Sequence, residues 1–181
     1  RDELKVITSA AETEALAASL QSNNGVYLVP AFAGLGAPHW AAHARGLICG
    51  LTRGSGKAEL ARAALESVAY QTADLIDAMA ADGAPCLALK VDGGMVANNW
   101  LMQFLADIQN APVDRPVVME TTALGAAFLA GVEAGVFSSL ADIGRLRRTG
   151  KIFEPNLPSE EREKLRAEWK IALDRTLLQA G

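Results

Sequence analysis

The stretch that most constrains this chain is Val91–Asn99, in which an acid and two glycines separate two hydrophobic patterns. The apolar run Leu87–Val91 has the length of a buried strand, and from Asn98 onward the apolar residues recur at helical spacing. Two glycines between a strand and a helix allow positive φ and let the backbone approach a ligand that a Cβ would hold off. The stretch therefore predicts a strand–turn–helix unit of an α/β domain.

The turn formed by Asp92, Gly93 and Gly94 has two interpretations. The start of the following helix offers free N–H groups and a positive dipole end, which suit a phosphate. The same residues also fit a tight turn that binds nothing. Asn98 can cap the helix or direct its amide at a ligand. For Asp92 we expect turn capping through Asx-type hydrogen bonds rather than a catalytic role.

Length and composition exclude several classes of protein. The 181 residues, half of them hydrophobic, are enough for one domain with a sizeable core. A net charge of −4 with acids and bases mixed indicates no nucleic-acid partner, and no apolar stretch reaches the roughly 20 residues of a membrane span. Cys49 and Cys86 lack metal-like spacing and make no disulfide framework, which predicts the cytoplasm. Since the chain starts without Met in a helix-like run, we expect it to be part of a longer one.

Hydrophobic spacing predicts the other elements. Helices are expected at 1–20, 57–81, 98–109, 121–135 and from 159 onward, and strands at 26–29, 45–52, 87–91 and 112–116. The strand at 112–116 is expected at a sheet edge, because its two prolines cannot donate ladder hydrogen bonds.

The long helix at 57–81 has an expected buried face and an expected outer face. Arg62, Glu66 and Asp74 are predicted to lie toward water or a neighbouring surface. The predicted buried residues are Leu60, Ala64, Val68, Leu75, Ile76 and Met79.

Two later segments carry simpler predictions. Thr121 or Thr122 can cap the helix at 121–135. The small residues of that helix indicate tight packing against a neighbour: Gly125, Ala126, Ala130 and Gly131. A basic run is expected to form a solvated face: Arg145, Arg147, Arg148 and Lys151.

The loop Pro30–Trp40 is rich in Gly and Pro yet carries Phe32 and Trp40. Such aromatic residues either pin a loop to the core or contact a ligand. His39 and His43 are four residues apart, which suits a metal only on a helix, and Pro38 indicates a loop, so no metal site is expected. A nearby Ser-Gly-Lys sequence lacks the first glycine of a phosphate-binding Walker A loop, which excludes that motif.

Together these stretches resemble the carboxyl-terminal half of a sugar kinase of the FGGY carbohydrate kinase family. Gly46–Leu51, seven residues, and then Glu59–Glu66 look like the second signature of that family. The loop Pro30–Trp40 is similar to the version in members that act on glycerol, rather than on xylulose or gluconate. Val91–Asn99 is similar to the adenosine-side motif of the family, and Thr122–Ala127 to its Thr-Ala-Leu-Gly-Ala helix start.

The resemblance implies a fold: an α/β, incomplete actin-like (ribonuclease H-like) ATPase domain, the second of two in a sugar kinase. It implies that residues 1–181 lack the first strands of this domain and that residues 139–181 form a C-terminal extension and helix. It also implies phosphoryl transfer from ATP, with Mg²⁺, to the terminal hydroxyl of glycerol in a cytoplasmic, homo-oligomeric enzyme.

The same resemblance implies which residues do what. Gly93, Gly94 and Asn98 are the implied nucleotide-binding residues, with the Gly94 backbone beside the nucleotide and Asn98 hydrogen-bonded on the adenine side. The catalytic base and the turns for the β- and γ-phosphates are implied to lie upstream. We therefore expect no catalytic residue and no metal ligand in this chain, and no activity from the chain alone.

Two alternatives remain at the level of sequence. The chain could be a non-catalytic actin-like module that binds nucleotide or acts as a scaffold, or part of another FGGY sugar kinase. The Asp-Gly-Gly turn does not separate these possibilities. The signature at 46–66 and the loop Pro30–Trp40 favour the kinase that acts on glycerol.

Overall fold

The structure is a computed structural model that describes residues 2, 3 and 5–178, and it confirms the predicted α/β class. In chain order the elements are α1 (Glu12–Ala18), β1 (Tyr27–Val29), β2 (Leu47–Cys49), α2 (Lys57–Ala81), β3 (Leu89–Lys90), a 3₁₀ turn (Gly94–Ala97), α3 (Asn99–Gln109), β4 (Val113–Pro116), α4 (Thr121–Glu133), α5 (Leu140–Gly144), β5 (Thr149–Phe153) and α6 (Ser159–Leu177). None of the helices in the described part of the chain is long and apolar enough to cross a membrane.

The strands form two small sheets. In the first, β1 and β2 are antiparallel, with Tyr27 opposite Cys49 and Val29 opposite Leu47. In the second, the order is β3–β4–β5, with β3 parallel to β4 and β5 antiparallel to β4. The second sheet places the end of β3 next to the start of α4, which is where the Asp-Gly-Gly turn lies.

The prediction of an edge strand at 112–116 is wrong, because β4 is the central strand of its sheet. Pro112 lies before β4, where its carbonyl accepts a hydrogen bond from the Leu89 N–H at 2.8 Å. Pro116 is the last residue of the strand, beside a shift in the pairing register. At these two positions the N–H that proline lacks is not needed for the ladder.

The basic run 145–151 is not only a solvated face, because Arg147 contacts β4 and the run continues into β5, a strand that was not predicted. Arg147 donates from Nη1 to Asp114 Oδ2 at 2.5 Å and from Nη2 to the Asp114 carbonyl at 2.9 Å. This guanidinium, with the Thr149 hydroxyl, holds the pKa of Asp114 below its usual value. Arg147 thus fixes the approach of β5 to β4.

The first helix is much shorter than predicted, since α1 begins only at Glu12. The Glu12 carboxylate accepts hydrogen bonds from the N–H groups of Thr8 and Ser9, at 3.1 and 2.9 Å, and so closes the turn in front of the helix. Arg1 and Leu4, which the predicted helix included, lie outside the described residues.

The bounds of α2 agree with the prediction, but its buried face does not. Leu75 and Met79 are 41% and 45% exposed, whereas Glu66 is 1% exposed. The side that faces the core carries mostly small residues and Tyr70, which allow close packing: Glu59, Ala61, Ala63, Leu65, Glu66, Ser67, Ala69, Tyr70 and Ala73. Val68 packs against the core as predicted, but a count of large apolar side chains otherwise selected the wrong side of this helix.

Tyr70 lies at the centre of the core, where α2, α3, α6 and β1 meet. Its ring stacks on Trp169 at 5.2 Å between centroids and meets the edge of Phe104 at 5.6 Å, with Tyr27 at 6.0 Å. Trp169 belongs to α6, which also buries Ala172 and Leu173. The aromatic cluster ties the last helix to the middle of the chain.

Glu66 accepts three hydrogen bonds inside this core. Arg62 Nε donates at 2.7 Å, Asn23 Nδ2 at 3.0 Å and the Tyr70 hydroxyl at 3.1 Å. Arg62 also donates to the Leu20 carbonyl at 2.5 Å. Burial raises the pKa of Glu66 above its ordinary value, while the Arg62 guanidinium acts in the opposite direction. Glu66, the last residue of the signature-like segment Glu59–Glu66, is therefore a structural anchor.

Helix α4 is not packed as predicted, because none of its residues is buried. Gly125 has no atom within 4 Å of the position a Cβ would take. Only Gly131 permits a close approach, since a Cβ there would come within 2.8 Å of the Phe137 ring. In the described chain, the small-residue flank of α4 thus faces mostly open space.

Candidate functional site

The turn and the helix of the predicted strand–turn–helix unit are confirmed, but the expected buried strand at 87–91 is reduced to β3, which is not buried, and Leu87 is 84% exposed. The geometry of the turn also differs from the prediction. A 3₁₀ turn, Gly94–Ala97, begins at the second glycine, and α3 starts only after it, at Asn99. Gly93 has φ +86°, a value that favours glycine, and its N–H donates to the Met119 carbonyl at 2.8 Å. We call residues Asp92–Asn98 the glycine turn.

The glycine turn presents bare backbone to solvent. No protein atom lies within 4 Å of the position that a Cβ would take at Gly93 or at Gly94, and Gly94 is exposed. Behind them, Val96 is buried and anchors the turn in the core. The turn therefore leaves room for a ligand beside its backbone without any rearrangement of the protein.

Asn98 is the N-cap of α3. Its Oδ1 accepts a hydrogen bond from the Leu101 N–H at 2.9 Å, and its Nδ2 lies 3.4 Å from the Thr13 hydroxyl. An amide nitrogen carries two hydrogens, so one of them is left for another acceptor. The capping interpretation of Asn98 is therefore confirmed for the oxygen, while the nitrogen can still serve a ligand.

Asp92 does not cap its own turn. Its carboxylate accepts a hydrogen bond from the hydroxyl of Thr121, the first residue of α4. The predicted capping of α4 by Thr121 or Thr122 is also wrong, because the residue before the helix is Glu120 and no side chain caps it. The Asp92–Thr121 contact instead ties the glycine turn to the start of α4.

Arg115 holds the far end of the glycine turn. Its Nη1 donates to the carbonyl of Val96 at 2.9 Å and lies 3.5 Å from that of Ala97. The guanidinium also stands over the Phe153 ring, 5.2 Å from its centroid. Sequence reasoning missed Arg115, because its partners are backbone carbonyls, which leave no pattern in a sequence.

The aromatic residues of the loop Pro30–Trp40 do not pin it to the core. Phe32 is 82% exposed and Trp40 is 79% exposed, so that interpretation is wrong. The loop is held instead by smaller residues, since Leu35 and Ala41 exchange two backbone hydrogen bonds at 2.9 Å. Both aromatic rings are therefore available to contact another part of a larger protein or a ligand.

The two histidines of this loop lie against different partners. His39 Nε2 is 3.5 Å from Asp74 Oδ2, the oxygen that also accepts from Trp169 Nε1 at 2.9 Å. His43 Nε2 is 3.4 Å from the Leu177 carbonyl. Among residues 2, 3 and 5–178, no group of three or more His, Cys, Asp or Glu side chains is placed to hold a metal.

A cavity of about 660 Å³ adjoins the glycine turn at Asp92. Its lining is mainly apolar, with basic side chains from Lys90, Arg147 and Arg148. Gly93, Gly94 and Asn98 do not line it. The predicted site residues thus follow Asp92 along the chain but lie outside this cavity.

The chain is similar along nearly its whole length to known kinases. A family model, the FGGY family of carbohydrate kinases, C-terminal domain, matches residues 1–134. A glycerol kinase of Rhodospirillum centenum is 60% identical over 97% of this chain, and the match covers 35% of that protein. The chain thus spans about a third of the length of the curated relatives it matches.

Solved structures give the same result. The glycerol kinase of Plasmodium falciparum with ADP aligns at a TM-score of 0.85 and 36% identity, over 98% of this chain and 36% of that one. A xylulose kinase from Rhodospirillum rubrum aligns at 0.75 and 26% identity, over 91% and 33%. The predicted fold, part of an actin-like (ribonuclease H-like) ATPase domain, is confirmed by these neighbours. The chain belongs to the FGGY family of carbohydrate kinases.

Proposed function

We propose that this chain is the nucleotide-side part of an ATP-dependent glycerol kinase, which converts glycerol and ATP to glycerol 3-phosphate and ADP. The observation that carries the proposal is the open backbone of the glycine turn, in which a Cβ at Gly94 would meet no protein atom within 4 Å. The similarity to glycerol kinases, one of them solved with ADP, supports the choice of substrate and nucleotide.

In this proposal the glycine turn binds the adenosine side of the nucleotide. The backbone at Gly94 lies against the nucleotide, and Gly93 supplies the positive φ that exposes this backbone. Asn98 keeps its oxygen on the helix cap and donates its second amide hydrogen to the adenine side. The three residues therefore bind and orient, and none of them takes part in proton transfer.

The remaining chemistry lies outside this chain. Mg²⁺ neutralises phosphate charge in phosphoryl transfer, and we assign it no ligand in this chain. We also place the catalytic base and the β/γ-phosphate turns in the other two thirds of the complete enzyme. Residues 139–181 as an extension, assembly into a homo-oligomer and the cytoplasm as compartment stay predictions.

The first prediction is that the isolated chain does not phosphorylate glycerol. Without a base and without the turns for the reacting phosphates, the positioning on which phosphoryl transfer depends is lost. A coupled assay with glycerol and Mg-ATP, on a preparation free of host kinase, measures this. Turnover above the blank that disappears in a Gly94→Asp variant would contradict the prediction.

The second prediction concerns the substrate of the complete enzyme. We expect kcat/KM to be higher for glycerol than for D-xylulose, because the loop Pro30–Trp40 is of the kind found in kinases that act on glycerol. Both constants are measured with the same preparation at saturating Mg-ATP. A preference for D-xylulose would favour the alternative of another FGGY sugar kinase.

A further inference from the structure

We propose that Arg115 is a positioning residue for nucleotide binding: it fixes the glycine turn in the shape that the nucleotide requires. The inference rests on the proposed function, since it concerns the same site. Arg115 is not a catalytic residue, because it acts on the turn and not on the substrate.

The hydrogen bonds of Arg115 are directed at the glycine turn. Its guanidinium donates to the Val96 carbonyl at 2.9 Å and approaches that of Ala97 at 3.5 Å. Apart from Asp2, no carboxylate of the described residues forms an ion pair with Arg115. The half-buried guanidinium thus directs charged donors at two backbone carbonyls of the turn.

The two carbonyls lie at the end of the 3₁₀ turn, where helical backbone leaves C=O groups without partners. A guanidinium there is favourable because it supplies charged donors to these carbonyls. The Phe153 ring beneath the guanidinium keeps Arg115 in place from β5. Arg115 therefore connects β4, the central strand of the second sheet, to the end of the glycine turn.

Other contacts fix the remaining parts of the turn. Gly93 is held by the Met119 carbonyl, Asp92 by the Thr121 hydroxyl, and Asn98 by the start of α3. Between these points lies Gly94, whose backbone touches nothing on its open side. Without Arg115, the burial of Val96 and the backbone hydrogen bonds of the 3₁₀ turn would still hold the segment from Gly94 to Ala97, but less firmly, and the nucleotide would then have to order it further on binding.

The experiment compares three variants of the complete enzyme. Arg115→Met removes the donors and keeps an apolar stem, and Arg115→Lys restores a positive donor. Lys151→Met is the matched control, because Lys151 pairs opposite Arg115 in the sheet and also stands over the Phe153 ring, at 4.4 Å, but does not contact the turn. The readouts are the Kd for ADP by calorimetry, the KM for glycerol and the Tm.

We expect Arg115→Met to raise the Kd for ADP about tenfold, as befits a lost hydrogen bond from a charged group, with the KM for glycerol unchanged. Arg115→Lys is expected to recover part of the affinity, and Lys151→Met to bind ADP like the wild type. A purely structural role would lower the Tm of Arg115→Met and leave the Kd for ADP unchanged, which would overturn the inference. If Arg115→Met does not fold, the test rests on Arg115→Lys, in which the geometry of the donor is altered. Wild-type affinity of Arg115→Lys for ADP would overturn the inference. A weaker affinity for ADP at a normal Tm supports it.

A Gly94→Val variant in the same series separates this inference from the proposed function. If Gly94→Val leaves ADP binding unchanged, the glycine turn does not bind nucleotide and both proposals fail. If Gly94→Val weakens ADP binding and Arg115→Met does not, the proposed function stands and the role of Arg115 is overturned.

Discussion

Replacing Gly94 by Val in the complete enzyme is expected to raise the Kd for ADP about 100-fold and to leave the KM for glycerol unchanged. The added side chain occupies the space beside the backbone that we assign to the nucleotide. The protein itself has no atom within 4 Å of the Cβ position, so the substitution creates no clash inside the chain. Titration of ADP and of glycerol separately against the purified variant measures both effects.

The neighbours of Gly94 provide the controls for this prediction. Gly93 is a poor probe, because any side chain at φ +86° is strained whether or not a ligand binds. Met95 is 52% exposed, and Met95→Ala is expected to bind ADP at least as well as the wild type. Asn98→Ala removes the helix cap together with the donor, so it is expected to lower both the Tm and, three- to tenfold, the affinity for ADP. A Gly94→Val variant with a lowered Tm and normal ADP affinity would show that the turn is purely structural.

The parts of the fold that the sequence predicted well are those with strong local signals. The 25 residues of α2 were placed correctly by periodicity, and α3 by the capping residue Asn98. The Asp-Gly-Gly stretch predicted a turn because glycine can adopt positive φ, and in the structure Gly93 does so. For the candidate site, local chemistry predicted the turn, whereas the family resemblance implied Gly93, Gly94 and Asn98, whose nucleotide binding stays a prediction.

The features that escaped prediction depend on contacts between distant parts of the chain. The buried side of α2 is chosen by the aromatic cluster around Tyr70, to which Trp169 contributes from the other end of the sequence. Strand β4 became central because β5, formed from a charged segment, pairs with it. Arg115 acts through carbonyl groups that every residue possesses. Patterns within a short window contain none of this information.

Replacing Glu66 by Ala is expected to lower the free energy of unfolding of the chain by about 3–5 kcal/mol. The substitution leaves Arg62 without its buried partner and deprives Asn23 and Tyr70 of the acceptor that both share. Because these donors come from α2 and from the segment before β1, their loss loosens the packing on which the core depends. Chemical denaturation followed by circular dichroism measures the change.

Asp174→Ala is the matched control for this prediction, since Lys170 and Asp174 form an ion pair at the same i, i+4 spacing on the surface of α6. An exposed pair of this kind contributes about 0–1 kcal/mol, so the control should remain close to the wild type. Equal losses for the two variants would show that Glu66 is not an anchor.

A second control is Glu66→Gln, which fills the same volume and cannot ionise. Burial raises the pKa of Glu66, so the folded state holds the proton more tightly than the unfolded state. The stability that this adds is present in full below the unfolded pKa and is lost as the pH rises through the folded pKa. We therefore expect the stability of the wild type relative to Glu66→Gln to fall as the pH rises above the ordinary glutamate pKa of about 4.3. A difference that instead grows with pH would mean that the Arg62 charge, rather than burial, determines how Glu66 titrates, and that the anchor is a simple ion pair.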